Sequence, residues 1–311
     1  MAATRRLEEL RRQIEARTSL PAGPLVVALS GGADSAALAE LAAGRQSTRA
    51  MHVHHGLPTS DRMEQAARAI ADRLHLPLVI AALKVEPFRE ETARRERYRL
   101  LESALTSQEW LLTGHTRDDQ AETVLANLMR GAGSGGLAGI PARRGRIVRP
   151  FLEVTRSETR EFATLAELAW VDDPQNDDLS YQRNRIRHWL LPTIEAEFNP
   201  GIRSALVAAA QAFTAVSAED PVGEHRDRDW RVSNSILWAV GFERAAAILR
   251  ASLRRLYQGY GPDRAELARI WEVVTGGATA AELTGGLRVY REGPWLICAR
   301  PGHGGDVDPR R

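Results

Sequence analysis

The apolar run Pro24-Leu25-Val26-Val27-Ala28-Leu29 leads directly into Ser30-Gly31-Gly32-Ala33-Asp34-Ser35. A run of that length reads as a buried strand, and the alanine- and leucine-rich stretch from about Ser35 to Ala43 reads as a helix. A strand, a glycine turn and a helix in immediate succession constrain the fold more than any other feature of the 311-residue chain. Glycines at such a turn let backbone amides approach an anion, and the helix start adds positive potential. The serine hydroxyls supply further donors. Asp34 would repel a phosphate directly, so its presence points to a magnesium ion between carboxylate and phosphates. The turn has neither the Gly-Lys-Ser/Thr ending of a Walker A loop nor the spacing of a G-x-G-x-x-G dinucleotide turn.

The remaining pattern repeats the unit. Strands are predicted at Arg49–Val53, Leu76–Leu83 and Trp110–Thr113, and helices at about 61–74, 90–105 and 118–130. Alternating strands and helices predict right-handed crossovers, hence a doubly wound parallel sheet that binds ligands beyond the carboxyl ends of its strands. The first 20 residues read as an exposed amphipathic helix through Leu7, Leu10 and Ile14. Residues 131–149, glycine-rich and then basic with Arg143, Arg144, Arg146 and Arg149, read as a mobile loop. Helices follow at about 157–168, 181–197 and 202–217, and Asp220-Pro221-Val222-Gly223 reads as a linker. Helices at about 244–257 and 264–275 and a hairpin around Arg291-Glu292-Gly293-Pro294 then define a smaller α+β domain. The predicted division is 1–220, 224–300 and a disordered tail at 301–311.

Composition narrows the function. The charged share of 26% and hydrophobic share of 43% are ordinary for a globular protein with a real core. No apolar run approaches the roughly 20 residues of a membrane span, and the charged start lacks a secretory signal, so the expected location is the cytoplasm. Cys298 is the single cysteine, which excludes an intrachain disulfide, a relay between two thiols and a cluster held by several thiolates. Lys84 is the single lysine, so the basic residues are nearly all arginine. That bias fits genomic codon usage as well as phosphate and nucleic-acid contact.

The turn at 30–35 resembles the SGGxDS pyrophosphate (PP) loop of ATP pyrophosphatases. Further residues occur in order: His52-Val53-His54-His55-Gly56-Leu57, Arg94 with Arg97-Tyr98, Gly114-His115-Thr116-Arg117-Asp118-Asp119-Gln120-Ala121-Glu122-Thr123, and Arg183-Asn184-Arg185-Ile186-Arg187-His188. Together they resemble the tRNA(Ile)-lysidine synthetase family, closely from about Leu25 to Pro192 and more loosely from about Val240 to Ala299. The resemblance implies an adenine nucleotide alpha hydrolase-like fold with ATP and Mg2+ as cofactors. It also implies that free lysine is joined to the wobble cytidine of the CAU-anticodon tRNA(Ile) through an adenylated intermediate. It leaves a homodimer open. Where the family continues Gly-Leu with arginine, this chain has Pro58.

Site residues follow from the same motifs. Ser30, Gly31, Gly32, Ala33, Asp34, Ser35, His52, Gly114 and His115 are expected at ATP, with Asp34 as the magnesium ligand. Asp34, Asp119, Glu122 and Arg187 are expected to serve the chemistry. Arg94, Arg97, Arg183, Asn184, Arg250 and Arg254 are expected at substrate or tRNA. The spacing of Asp118, Asp119 and Glu122 allows two readings: magnesium, ammonium or proton binding, or complementing a helix dipole. Arg183 and Arg187, four apart, either stabilise phosphate charge or form a solvated face paired with Asp177 and Asp178. The segment Gly131–Gly136 is expected to close over a base withdrawn from its stack.

Overall fold

A computed structural model describes residues 2–45, 47–83, 90–217, 223–225, 229–257 and 261–300. Helix α1 (Ala2–Glu15) precedes β1 (Leu25–Ala28), α2 (Ala33–Ala43), β2 (Thr48–His54), α3 (Ser60–Arg73), β3 (Leu78–Ala82), α4 (Glu90–Ser103), β4 (Trp110–Leu112) and α5 (Arg117–Met129). Next come the short α6 (Ser134–Leu137), the two-residue strands β5 (Arg143–Arg144) and β6 (Ile147–Val148), and α7 (Arg156–Leu165). The segments α8 (Gln182–Arg185) and α9 (Leu191–Glu197) flank a π-helical turn at Ile186–Leu190, and α10 (Ile202–Ser217) follows. The rest comprises β7 (Glu224–His225), β8 (Asp229–Ser233), α11 (Asn234–Leu253), α12 (Arg264–Thr275), β9 (Ala280–Leu283), β10 (Leu287–Glu292) and β11 (Trp295–Ala299).

Two compact units result: Met1–Ala126 with Ile140–Val207, and Asn127–Gly139 with Ala208–Arg311. This division differs from the sequence expectation by cutting within α10 rather than at 220, and by assigning the glycine-rich segment to the second unit. Of the predicted linker at 220–223 Gly223 alone is described, and the tail at 301–311 lies outside the described residues.

The first unit contains a six-stranded sheet in the order β3-β2-β1-β4-β6-β5. The first five of these strands pair in parallel, and β5 closes the edge antiparallel to β6. The period of two along β1 explains why both faces are covered. Leu25, Val27 and Leu29 enter one core with Leu38, Ile70 and Phe162, while Val26 enters another with Met51, Tyr98 and Leu101. The chain leaves β1 toward β2 on one side and returns to β4 on the other, so the topological switch point lies between β1 and β4. Both the loop after β1 and the motif after β4 open there.

Helix α1 is exposed over most of its residues, with its apolar stripe packed inward. Leu10 and Ile14 are fully buried in the core, and Arg6 and Arg17 pair with Glu161 and Glu158 of α7. Its amphipathic period was legible, but its partners on α7 lie 141 and 155 residues away in sequence. The basic segment after Ile140 is likewise fastened rather than free. Arg143 stacks over Trp110 at 4.3 Å, Arg144 meets Glu102 at 3.1 Å, and Arg146 and Arg149 donate to the carbonyls of Thr106 and Pro141.

The second unit holds a five-stranded antiparallel sheet, β7-β8-β11-β10-β9, around a core of Trp230, Leu249, Ile270, Val289 and Cys298. Strands β7 and β9 are too short or too weakly alternating to read from sequence, whereas β8 alternates strictly, with Trp230 and Val232 buried, and was missed. Within this unit the glycine-rich segment is held in place: Asn127 donates to the Gly136 carbonyl at 2.6 Å, and Arg264 to that of Gly131 at 2.7 Å.

Candidate active site

The phosphate-type loop is internally bonded. The Ser35 hydroxyl donates to the Gly32 carbonyl at 2.9 Å and accepts from the Ser30 amide at 3.1 Å. With that hydrogen committed, the Ser30 hydroxyl is the donor in its 2.9 Å contact with Ser35, and its oxygen accepts from the Gly32 amide at 3.3 Å. Two glycines are required by geometry. Gly31 sits at φ +94°, and a Cβ there would fall 2.4 Å from the Met63 carbonyl oxygen. A Cβ on Gly114 would lie 3.0 Å from the backbone of Asp34, so the loop after β4 is pressed against the loop after β1.

Asp34 opens α2 beside this contact. Its carboxylate accepts from the Thr159 hydroxyl and lies 3.8 Å from Nε of Arg156. Burial, and then the neighbouring Asp119 anion, raise the Asp34 carboxyl to about 6. A cation at this point would relieve both effects.

Beyond Asp34 three guanidinium groups enclose two carboxylates. Arg183 reaches Asp119 at 2.7 Å and Glu122 at 3.0 Å. Arg187 reaches Glu122 at 2.7 Å and Asp119 at 3.3 Å. Arg156 reaches Asp119 at 2.8 Å and Glu122 at 3.1 Å. Burial opposes ionisation of Asp119, but Arg183, Arg156 and the Thr116 amide outweigh it and hold the carboxyl far below its usual range. Glu122 is lowered in the same way, chiefly by Arg187. Both carboxylates are therefore fully ionised at neutral pH and already bonded. That makes them poor proton acceptors in this arrangement and good organisers of positive charge.

The partners of Arg183 are thus Asp119 and Glu122, not Asp177 and Asp178. Its helix is built to allow this. Pro192 has no N–H to donate back to His188, and the Leu191 amide bonds five residues back to Ile186, making the π turn that carries Arg187. Asn184 is buried, and its amide donates to the carbonyls of Gln175 and Asp178, which fixes the preceding loop.

Ser30, Gly32, Ala33, Asp34, Ser35, Asp119, Arg156, Arg183, Asn184 and Arg187 line one cavity of about 650 Å³ together with His52, His55, Arg94, Arg97, Gly114 and His115, and Leu57 and Thr59 line it on either side of Pro58; Gly31 and the buried Glu122 are not in its lining. The His52 Nδ1 contacts the Leu29 carbonyl at 2.9 Å, while its Nε2 and the His55 Nδ1 are buried without a partner. Burial pushes His115 down to about 3 and His55 down to about 4, so both rings are neutral. Arg94 and Arg97 lie over the Tyr98 ring at 5.7 and 5.6 Å, and neither forms an ion pair among the described residues. Arg250 and Arg254 are not part of this cavity. In the second unit Arg250 packs against the glycine-rich segment, where a Cβ on Gly135 would lie 3.1 Å from its Cδ, and Arg254 is exposed at the end of α11.

Arg156 and Thr159 were not anticipated from sequence. No motif marks them, although Thr155-x-x-Glu158 carries the signature of a capping box that would have started the helix at Arg156.

The fold, the switch-point loop and the cavity define an enzyme of the PP-loop class, and the model of the PP-loop domain matches residues 3–194. A tRNA(Ile)-lysidine synthase from Salinispora arenicola is 37% identical over 94% of this chain and 96% of its own length. One from Pseudomonas fluorescens is 40% identical over 54% of this chain; the matched region is 41% of that protein, so the chain spans under half of this longer relative. A U34-tRNA thiolase from Methanococcus maripaludis shares the fold, with a TM-score of 0.54 at 16% identity over 69% of this chain and 80% of its own. The chain belongs to the tRNA(Ile)-lysidine synthase family.

Proposed function

We propose that the protein joins free lysine to C2 of the wobble cytidine of the CAU-anticodon tRNA(Ile), consuming ATP and acting in the cytoplasm. The cytidine C2 oxygen displaces pyrophosphate from the α-phosphorus of ATP. The lysine amine then forms a bond to C2, AMP leaves with that oxygen, and the amine loses a proton. The product pairs with A rather than G, moving the codon read from AUG to AUA. The observation that carries this reading is the Arg156–Arg183–Arg187 cluster on Asp119 and Glu122, facing the serine–glycine loop across one cavity. Such a cluster supplies fixed positive charge where a pentavalent phosphate gathers negative charge.

Magnesium fits the site. Asp34 is a single carboxylate whose ionisation is opposed by its surroundings, and Mg2+ typically takes one or two carboxylates plus substrate phosphates. Held through Asp34, the ion would neutralise charge between the carboxylate and the polyphosphate. His52 and His55 offer the nucleotide ring nitrogens that have no hydrogen-bond partner among the described residues, and Arg94 and Arg97 offer a phosphate of ATP or tRNA cations that have no ion-pair partner among them.

Sulfur transfer is disfavoured by Cys298, the single cysteine, which is fully buried in the second unit with its thiol pushed up to about 12 by burial. The test is pyrophosphate release from ATP in the presence and absence of tRNA. Release that requires the CAU tRNA supports the reading. Release independent of tRNA, or none, contradicts it.

A further inference from the structure

The three acids and three arginines of the site are not equivalent. Among the described residues, Arg183 and Arg187 pair with no acid other than Asp119 and Glu122. Arg156 alone also reaches Asp34, and it does so with a different nitrogen for each acid: Nε toward Asp34, Nη2 to Asp119 and Nη1 to Glu122. Its side chain is 17% exposed, so these contacts are little screened by water.

The backbone around it is equally determined. Thr155 caps α7 in a capping box with Glu158. The Arg156 amide donates to Asp118 at 2.8 Å, which pins the start of α7 to the start of α5. One turn on, Thr159 is fully buried and holds the other oxygen of Asp34. A single helical turn therefore grips both the acid of the phosphate loop and the acids of α5.

We infer that Arg156 is a positioning residue that locks Asp34 and the Asp119–Glu122 pair into one geometry for adenylation. This rests on the proposed function. A planar fork with three separately directed N–H groups is needed, because a lysine ammonium is a point charge on a flexible stem and cannot face three acids at once. Charge and geometry are thereby separable. Arg156→Lys keeps three cations against three anions, whereas Arg156→Gln leaves the site one negative charge in excess facing a polyphosphate.

The experiment uses the full chain with saturating Mg2+ and CAU tRNA, with ATP varied for KM and saturating for the single-turnover rate. Melting temperature, KM for ATP and the single-turnover rate of pyrophosphate release are measured for wild type, Arg156→Lys and Arg156→Gln. Arg156→Lys is expected to fold, to keep KM for ATP within about threefold, and to lose roughly 100-fold in rate, the scale on which a 1 Å misplacement acts. Arg156→Gln is expected to lose rate and also to raise KM for ATP. An Arg156→Lys rate within about twofold of wild type, a loss confined to KM, or failure of both variants to fold would overturn the positioning role. Absence of tRNA-dependent release by wild type itself would instead remove the proposed function and this inference with it.

Discussion

Gly31 shows how tightly single residues are specified in this site. It combines a left-handed backbone with a carbonyl 2.4 Å from where a Cβ would be, and that carbonyl belongs to α3 and cannot rotate away. Gly31→Ala is therefore expected to cost at least the roughly 1–3 kcal/mol of a strained non-glycine conformation, and to move the loop amides off their anion. A urea melt and an ATP-dependent activity assay check both parts. Unchanged stability with full activity would contradict the account. The serine–glycine turn and its ligand class were legible at this scale because a short local pattern encodes them. Arg156 was not, because its three acids lie 34, 37 and 122 residues away in sequence and only the sheet brings them together. Asp119 and Glu122 could be singled out from their spacing, but their pairing with three arginines was invisible there, and that pairing favours holding cations over accepting a proton.

At the scale of elements, α7 is the piece on which the site depends. Its start is fixed by Thr155, whose hydroxyl accepts from the Glu158 amide, while the Glu158 carboxylate accepts from Thr155. Thr155→Ala is expected to cost about 1 kcal/mol, as loss of an N-cap does, and to lower activity further by loosening Arg156 and Thr159. The denaturant midpoint measures the first effect, and the ratio of activity to folded fraction the second. Most helices and parallel strands of the first unit were readable, since their periods of 3.6 and 2 persist over many residues. The π turn at Ile186–Leu190 was not, although Pro192 was a visible cause. The stretch from Arg143 to Arg149 reads as a loop in the sequence, and its fastening was not legible because the partners Trp110, Glu102 and Thr106 lie 33 to 42 residues away.

For the molecule as a whole, the two buried histidines set one sign of the pH dependence of stability, and the raised Asp34 carboxyl offsets part of it between about pH 6 and 4. His115 and His55 stay neutral down to about 3 and 4 in the fold, whereas in the unfolded chain they take up protons near 6.5. Between those limits the unfolded state binds more protons, so stability falls as pH falls from about 7 toward 4. His115→Gln should flatten that decline in urea midpoints taken at pH 7.5 and pH 5, and an unaltered slope would contradict the burial. No described helix is long and apolar enough to cross a membrane. The doubly wound sheet was legible because alternation survives without knowledge of contacts, whereas the division between the two units was not, because α10 runs through it. The central claim is lysine transfer, and it is tested most directly by incubating the protein with ATP, Mg2+, CAU tRNA and radiolabelled lysine. The account predicts label in the tRNA with one AMP and one pyrophosphate released per lysine joined. Unlabelled tRNA, with sulfur or ammonia incorporated when those are supplied, would contradict it.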